Sequence, residues 1–240
     1  MPQYYIEPQE LASGSFTLKG PEAVHAARVM RIAAGDSITV FDGLGGKWRA
    51  VVTEAGRDEL ACRVEEKLVV APPALKVDLY FAPISKNNIS ELLDACTQLG
   101  VRSFTPVITA RCEHKIADKA DRKAEAWHKT LLAACKQCGR ADIPAVHEPV
   151  SFSSAIKICG SGVICLLTAG TVPLNSALET LAVPRGGSIA VFVGPEGGFT
   201  DEEARLAAEA GLLPVTLGVN TLRAETACAA ACAILCAPAR

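Results

Sequence analysis

The chain has 240 residues, half of them hydrophobic, and a formal net charge of −2 at pH 7. That is enough apolar material for one large or two small packed cores, and the near-neutral charge excludes a globally basic nucleic-acid binder, so such a partner needs a local patch. No basic segment followed by an apolar run opens the sequence, and no apolar stretch approaches the ~20 residues that span a bilayer, so a soluble, cytoplasmic protein without a membrane partner is expected.

In chain order, 21–34 reads as a short helix with proline in its first turn and Gly35 as its stop. Segments 37–42 and 47–53 alternate like strands around the hairpin loop Gly43-Leu-Gly-Gly46, and 60–64 reads as a third strand. A small β-barrel with one helix is their sum. Consecutive prolines in Ala71-Pro-Pro-Ala74 can continue neither a helix nor a central strand, which predicts two domains, 1–71 and 72–240. Beyond that seam, 77–82 is strand-like, 88–99 is helix-like with Gly100 as its stop, and 103–108 resembles a strand in which Pro106 favours an edge or a bulge. Segment 125–137 is helical, 162–167 and 188–193 are buried-strand runs, and a last helix runs from about 223 to 236. Alternating strands and helices predict an α/β fold with a largely parallel sheet.

The chemistry is concentrated in two loops near the C-terminus. Gly194-Pro-Glu-Gly-Gly198 and Leu217-Gly-Val-Asn-Thr-Leu-Arg-Ala-Glu-Thr-Ala227 each follow an apolar strand-like run and lead into a helix-like run. Loops of that kind line the crevice at the carboxyl ends of strands, and two of them can enclose a small cofactor between backbones. Thr200 followed three residues later by Glu203 is a capping box that fixes the next helix start. Glu196 and the absence of G-x-G-x-x-G or Walker spacing argue against a phosphate cradle. From Arg102 to Arg140 nine basic residues stand against four acidic ones, a candidate nucleic-acid patch or a solvated helix face. Cys135-Lys-Gln-Cys138 has redox-motif spacing but lacks the second pair that a zinc site needs, so no metal is expected. The ten cysteines are read as reduced core residues, with Cys228, Cys232 and Cys236 on one helix face.

Taken together, the two loops resemble the cofactor-binding motifs of the SPOUT superfamily of knotted RNA methyltransferases, specifically the RsmE family, which methylates N3 of a uridine in 16S ribosomal RNA. His25-Ala-Ala-Arg-Val-Met-Arg31 followed by Phe41-Asp-Gly43 resembles that family's N-terminal PUA-like RNA-binding barrel. Gln98-Leu-Gly-Val101, Arg111-Cys112 and the run from Trp127 to Arg140 resemble its middle segments. The chain departs from the pattern at Gln98 and Lys136, where glutamates are usual, at Thr97, and at Ser85-Lys-Asn-Asn88.

The resemblance implies a PUA-like barrel ahead of a C-terminal domain whose last strands and helix form a trefoil knot, with S-adenosylmethionine (SAM) held between the knot loops in a homodimer. Carried over residue by residue, it implies cofactor contact by Leu167, Gly194, Gly198, Leu217, Gly218, Leu222 and Ala227, with Glu196 and Thr226 shaping the loops. A cation near the uracil oxygens would lower the barrier to methylation at N3. Arg223 is the first candidate for it and Arg140 or Arg111, from either subunit, the second, the alternative for each being an internal salt bridge. His25, Arg28, Arg31, Arg111 and Lys136 are the implied RNA contacts, and 16S rRNA within the small subunit is the implied partner. The rival expectations are a SPOUT enzyme acting on another rRNA base or a ribose 2′-OH, a non-catalytic RNA-binding protein, and a redox or metal enzyme using Cys135 and Cys138.

Overall fold

The structure is a computed structural model that describes residues 3–84, 86–112, 120–168 and 170–237. Its contacts form two units, Met1–Ala71 with Leu132–Ile143, and Pro72–Leu131 with Pro144–Arg240. The boundary drawn from sequence, 1–71 against 72–240, thus differs in one segment, because 132–143 is built into the first unit. The side chain of Gln3 donates to the carbonyls of Cys135 and Arg140, Lys47 Nζ donates to Gly139 O at 2.9 Å, and Lys136 pairs with Glu22. Phe41, Cys135 and Ala141 share a small apolar cluster.

The first unit contains β1 (Gln3–Tyr5), α1 (Pro8–Ala12), β2 (Ser15–Lys19), α2 (Gly20–Arg28), β3 (Ser37–Phe41), β4 (Lys47–Ala55) and β5 (Glu59–Lys67). Its sheet has the order β1-β3-β4-β5-β2, parallel only between β1 and β3. Alternation places Ile38, Val40, Ala50, Val52, Leu60 and Cys62 in one buried cluster, as a half-solvated sheet requires. Helix α2 ends at Arg28, earlier than the expected 34, because Arg31 takes a left-handed φ of 55° and Ile32 N–H bonds back to Ala26 O at 3.1 Å.

The second unit contains β6 (Lys76–Phe81), α3 (Lys86–Leu99), β7 (Ser103–Ile108), α4 (Ala120–Cys138), β8 (Ala145–Val146), β9 (Val150–Ser151), α5 (Phe152–Ile158), β10 (Gly162–Cys165), β11 (Val172–Pro173), α6 (Leu174–Leu181), β12 (Ser188–Val193), α7 (Asp201–Glu209), β13 (Leu213–Thr216) and α8 (Ala224–Cys236), the last turns of α4 belonging to the first unit. The sheet runs β11-β13-β10-β12-β6-β7-β8, with β9 also on β7, and its ladders are parallel. Ile189 to Val193 are all buried, the continuous apolar run of a strand covered on both faces. Pro106 pairs with Phe81 on one side, while β8 covers Ser103 and Phe104 on the other and β9 covers Val107 and Ile108. The proline sits where the outer partner changes, so its missing N–H costs no ladder bond. Because the strands are parallel, the loops after β7, β8, β10, β12 and β13 emerge along one edge. Among the described residues no helix is long and apolar enough to cross a membrane.

Candidate functional site

Helix α7 starts where the capping box predicts. Thr200 Oγ1 accepts from Glu203 N–H at 3.2 Å, and Glu203 Oε2 accepts from Thr200 N–H at 2.8 Å and from its hydroxyl at 3.1 Å. Glu203 is buried, and its other oxygen accepts from Ala110 N–H at 2.8 Å, beyond the end of β7. This one carboxylate therefore ties the loop after β12 to the loop after β7. The neighbouring Arg111 completes the tie, its Nη1 donating to Gly197 O at 2.6 Å and Phe199 O at 3.3 Å.

The loop itself closes through Gly198 N–H on Pro195 O at 2.8 Å, with Gly198 at φ +67°. That conformation disfavours any residue with a Cβ. At Gly194 the constraint is space, since a Cβ would meet the Phe199 ring at 3.1 Å. The second loop follows β13 and turns at Gly218, whose N–H and O both engage Thr216 Oγ1.

Between these loops and the end of β10 lies a cavity of about 340 Å³. Leu167, Gly194, Glu196, Gly198, Leu217, Gly218, Leu222 and Ala227 all line it, together with Arg111, Cys165 and the acidic Asp201. Thr226 does not. On a helix, Ala224 and Ala227 share a face at i, i+3, which turns the intervening Thr226 elsewhere; it is exposed. Arg223 is the N-cap of α8, exposed and outside the cavity lining, and its carbonyl accepts from Ala227 N–H. No ion pair joins it to Glu225 or Glu196, and Glu225 instead accepts from Asn88 at 3.2 Å.

The remaining expected site residues lie in the first unit. Arg140 forms a two-point contact with Asp142, Nε to Oδ1 at 2.9 Å and Nη2 to Oδ2 at 2.6 Å. Burial pushes the Asp142 carboxyl up, yet the hydrogen bonds and charge of Arg140 hold it below the ordinary carboxylate value. His25, Arg28 and Arg31 are exposed on and just after α2, and Lys136 is occupied by its pairing with Glu22 on the same helix. Of the basic run from Arg102 to Arg140, 113–119 lies outside the described residues, as does Ser85. Cys135 is buried and its thiol is pushed up to about 12, which leaves no thiolate for redox chemistry at neutral pH.

The sequence reading named Arg111 as a candidate cation and as an RNA contact and did not name Asp201, and both line the cavity, while Glu203 was read only as half of a capping box. The Thr-x-x-Glu signature signalled the local half of Glu203's bonding and nothing signalled the bond to Ala110.

Comparison with known proteins accounts for both units. The model of an RNA methyltransferase domain matches residues 71–236, and that of an RNA methyltransferase PUA domain matches 18–65. A ribosomal RNA small subunit methyltransferase E of Synechocystis is 31% identical over 92% of this chain and 73% of its own length. The protein of the same name from Mycobacterium bovis is 30% identical over 95% of this chain and 88% of its own. The crystal structure of a ribosomal RNA small subunit methyltransferase E from Neisseria gonorrhoeae, bound to S-adenosyl methionine, is 28% identical with a TM-score of 0.82, covering 98% of this chain and 96% of that one. A PUA unit ahead of a parallel-sheet unit, two glycine loops walling a cavity at the sheet's carboxyl edge, and relatives matched nearly end to end lead to one assignment: the chain belongs to the ribosomal RNA small subunit methyltransferase E family of RNA methyltransferases.

Proposed function

We propose that this protein transfers a methyl group from SAM to N3 of one uridine in the 16S RNA of the small ribosomal subunit. The observation that carries the reading is the cavity between the two glycine loops. Its volume is in the range of small-molecule sites, and the seven residues expected to touch the cofactor line it together with Glu196, expected to shape the loop. The lining fits the group: leucines 167, 217 and 222 offer apolar walls for a heterocycle, while Glu196 and Asp201 favour a cationic donor over a phosphate. When bound, SAM supplies an electrophilic methyl group.

The chain's own residues do the rest. Uracil N3 carries a proton and becomes nucleophilic on losing it, and the resulting charge spreads to O2 and O4. A fixed cation beside those oxygens stabilises that charge in a site sheltered from water. Arg111 takes this role first, because it is the cation among the described lining residues and is anchored by Gly197 and Phe199. Arg223, exposed at the start of α8, is the second candidate. Arg140 serves the first unit through Asp142. N3 lies on the pairing edge, so the uridine enters unpaired and turned out of its stack. His25, Arg28 and Arg31 give the PUA-like unit a positive face for RNA phosphates.

The reading includes the family's trefoil knot, a homodimer and a cytoplasmic site of action on the assembling or assembled small subunit. Leu167 and Val219, 71% and 101% exposed on the cavity loops, supply apolar surface for a second copy to cover.

The test is methyl transfer from labelled SAM to unmodified small subunits and to free 16S RNA, with mass-spectrometric identification of the nucleoside. 3-Methyluridine at one position is expected. A 2′-O-methyl nucleoside or another methylated base would replace the N3 assignment, and no incorporation by folded protein would leave an RNA-binding role.

A further inference from the structure

A second cavity, of about 170 Å³, opens beside β8, between Trp127, His128 and Leu131 of α4 and the segment Pro144 to Pro149. We infer that it is an RNA subsite that takes one unstacked, amino-bearing base flanking the target uridine. This rests on the RNA methyltransferase reading above.

Position comes first. β8 ends at Val146, so His147 and Glu148 stand at the carboxyl edge of the same sheet whose loops wall the larger cavity. Strand order separates β12 from β8 by β6 and β7, which is about 15 Å at the usual strand spacing. Arg111, just past the end of β7, lies along the interval. An RNA strand laid on this edge meets one cavity, an arginine and then the other cavity.

Chemistry selects the occupant. The volume is five to six times the ~30 Å³ of one water, room for a single ring system and little more. Trp127, two histidines and Pro144 and Pro149 are the kind of wall on which a base stacks. Glu148 accepts hydrogen bonds and repels phosphate, and among the described residues no lysine or arginine lines this cavity, so the backbone is a poor fit and an exocyclic amino group a good one. A metal ion is also a poor fit, since no group of three or more His, Cys, Asp or Glu among the described residues could hold one. Turning a uridine out of its stack also strips its neighbours of stacking, and a protein surface that restores it lowers the cost of extrusion.

The test uses full-length protein and the 16S RNA fragment that wild type binds most tightly, with abasic nucleosides placed one at a time along it. Binding is read by fluorescence anisotropy and SAM affinity by calorimetry. His147→Ala/Glu148→Ala alters only exposed side chains and preserves the fold; Trp127→Leu is the companion variant. One abasic position away from the target uridine should weaken wild-type binding about tenfold, the effect of losing one stacked base. The double variant should bind intact RNA about tenfold more weakly, lose nothing further at that position, and keep wild-type SAM affinity. Identical abasic profiles for wild type and both variants would overturn the subsite, as would an RNA that wild type does not bind. Normal abasic coupling without any methyl transfer would instead sink the catalytic reading and leave the subsite standing.

Discussion

Glu203 accepts three hydrogen bonds with its two oxygens, and all three donors are fixed N–H or O–H groups. Glu203→Gln preserves shape but sets an amide NH₂ against a backbone N–H, leaving a buried donor unsatisfied at a cost of about 1–3 kcal/mol. The isosteric variant should therefore melt lower and bind SAM several-fold more weakly, nearly as poorly as Glu203→Ala; calorimetry showing wild-type affinity for the glutamine variant would refute the tie's importance. Gly198→Val tests conformation separately from space, because a Cβ there meets nothing within 4 Å but must adopt φ +67°. The strain costs about 1–2 kcal/mol, so SAM affinity should drop about tenfold, and an unchanged titration would count against this loop as a cofactor wall. Arg111→Ala should lower turnover more than SAM affinity, and single-turnover rates equal to wild type would pass the role to Arg223. Thiol reactivity separates the cysteines: Cys138 is exposed, whereas burial pushes Cys135 and Cys165 up to about 12. Iodoacetamide at pH 7.5 should label Cys138 first, as peptide mapping would reveal.

Elements were most legible where a strand, a loop and a helix follow one another in sequence. The edges of β12 and the start of α7 could be read because an apolar run, a glycine loop and a capping box each leave a local mark. For the same reason most of the cavity lining was visible as two loops. Thr226 stands off the cavity lining because helical neighbours are turned by about 100°, which a motif read as a string does not show. The early end of α2 was hidden, since nothing in the residue type announces that Arg31 will turn left-handed. Contacts between distant elements leave no local trace. Glu203 reaches Ala110 across 93 positions, and Lys136 reaches Glu22 across 114. That second pair gives the lysine of α4 a carboxylate partner on α2. Lys136→Glu should oppose Glu22 and lower stability by about 1 kcal/mol, and the swap with Glu22→Lys should restore most of it in thermal melts.

At the scale of the molecule, burial keeps thiols protonated in both units, including Cys165 on the cavity wall. Burial pushes Cys62 to about 11 and Cys135 and Cys165 to about 12, from the ordinary 9.0. Above pH 9 the unfolded chain loses these protons while the folded chain keeps them, so the folded state binds more protons and stability falls as pH rises. The effect is absent below pH 9 and grows through pH 11–12; a urea midpoint that did not decline between pH 8.5 and 10.5 would contradict it. Fold class was readable at this scale because alternation of strand and helix constrains the sheet to be parallel, whereas the assignment of 132–143 to the first unit depended on long-range bonds such as that of Gln3. The cavity beside the glycine loops is finished by Ala224 and Ala227, in the first turn of α8. During synthesis, the first unit's sheet and the first strands of the second exist long before that turn does. A chain that stops short of Ala227 lacks not only that wall but also Cys228, Ala231, Cys232 and Leu235, which α8 buries in the core, so it should lose stability and cavity together. If the cavity is the donor site, retention on a SAM-analogue resin should require translation through α8, and retention of a chain ending before Ala224 would contradict this.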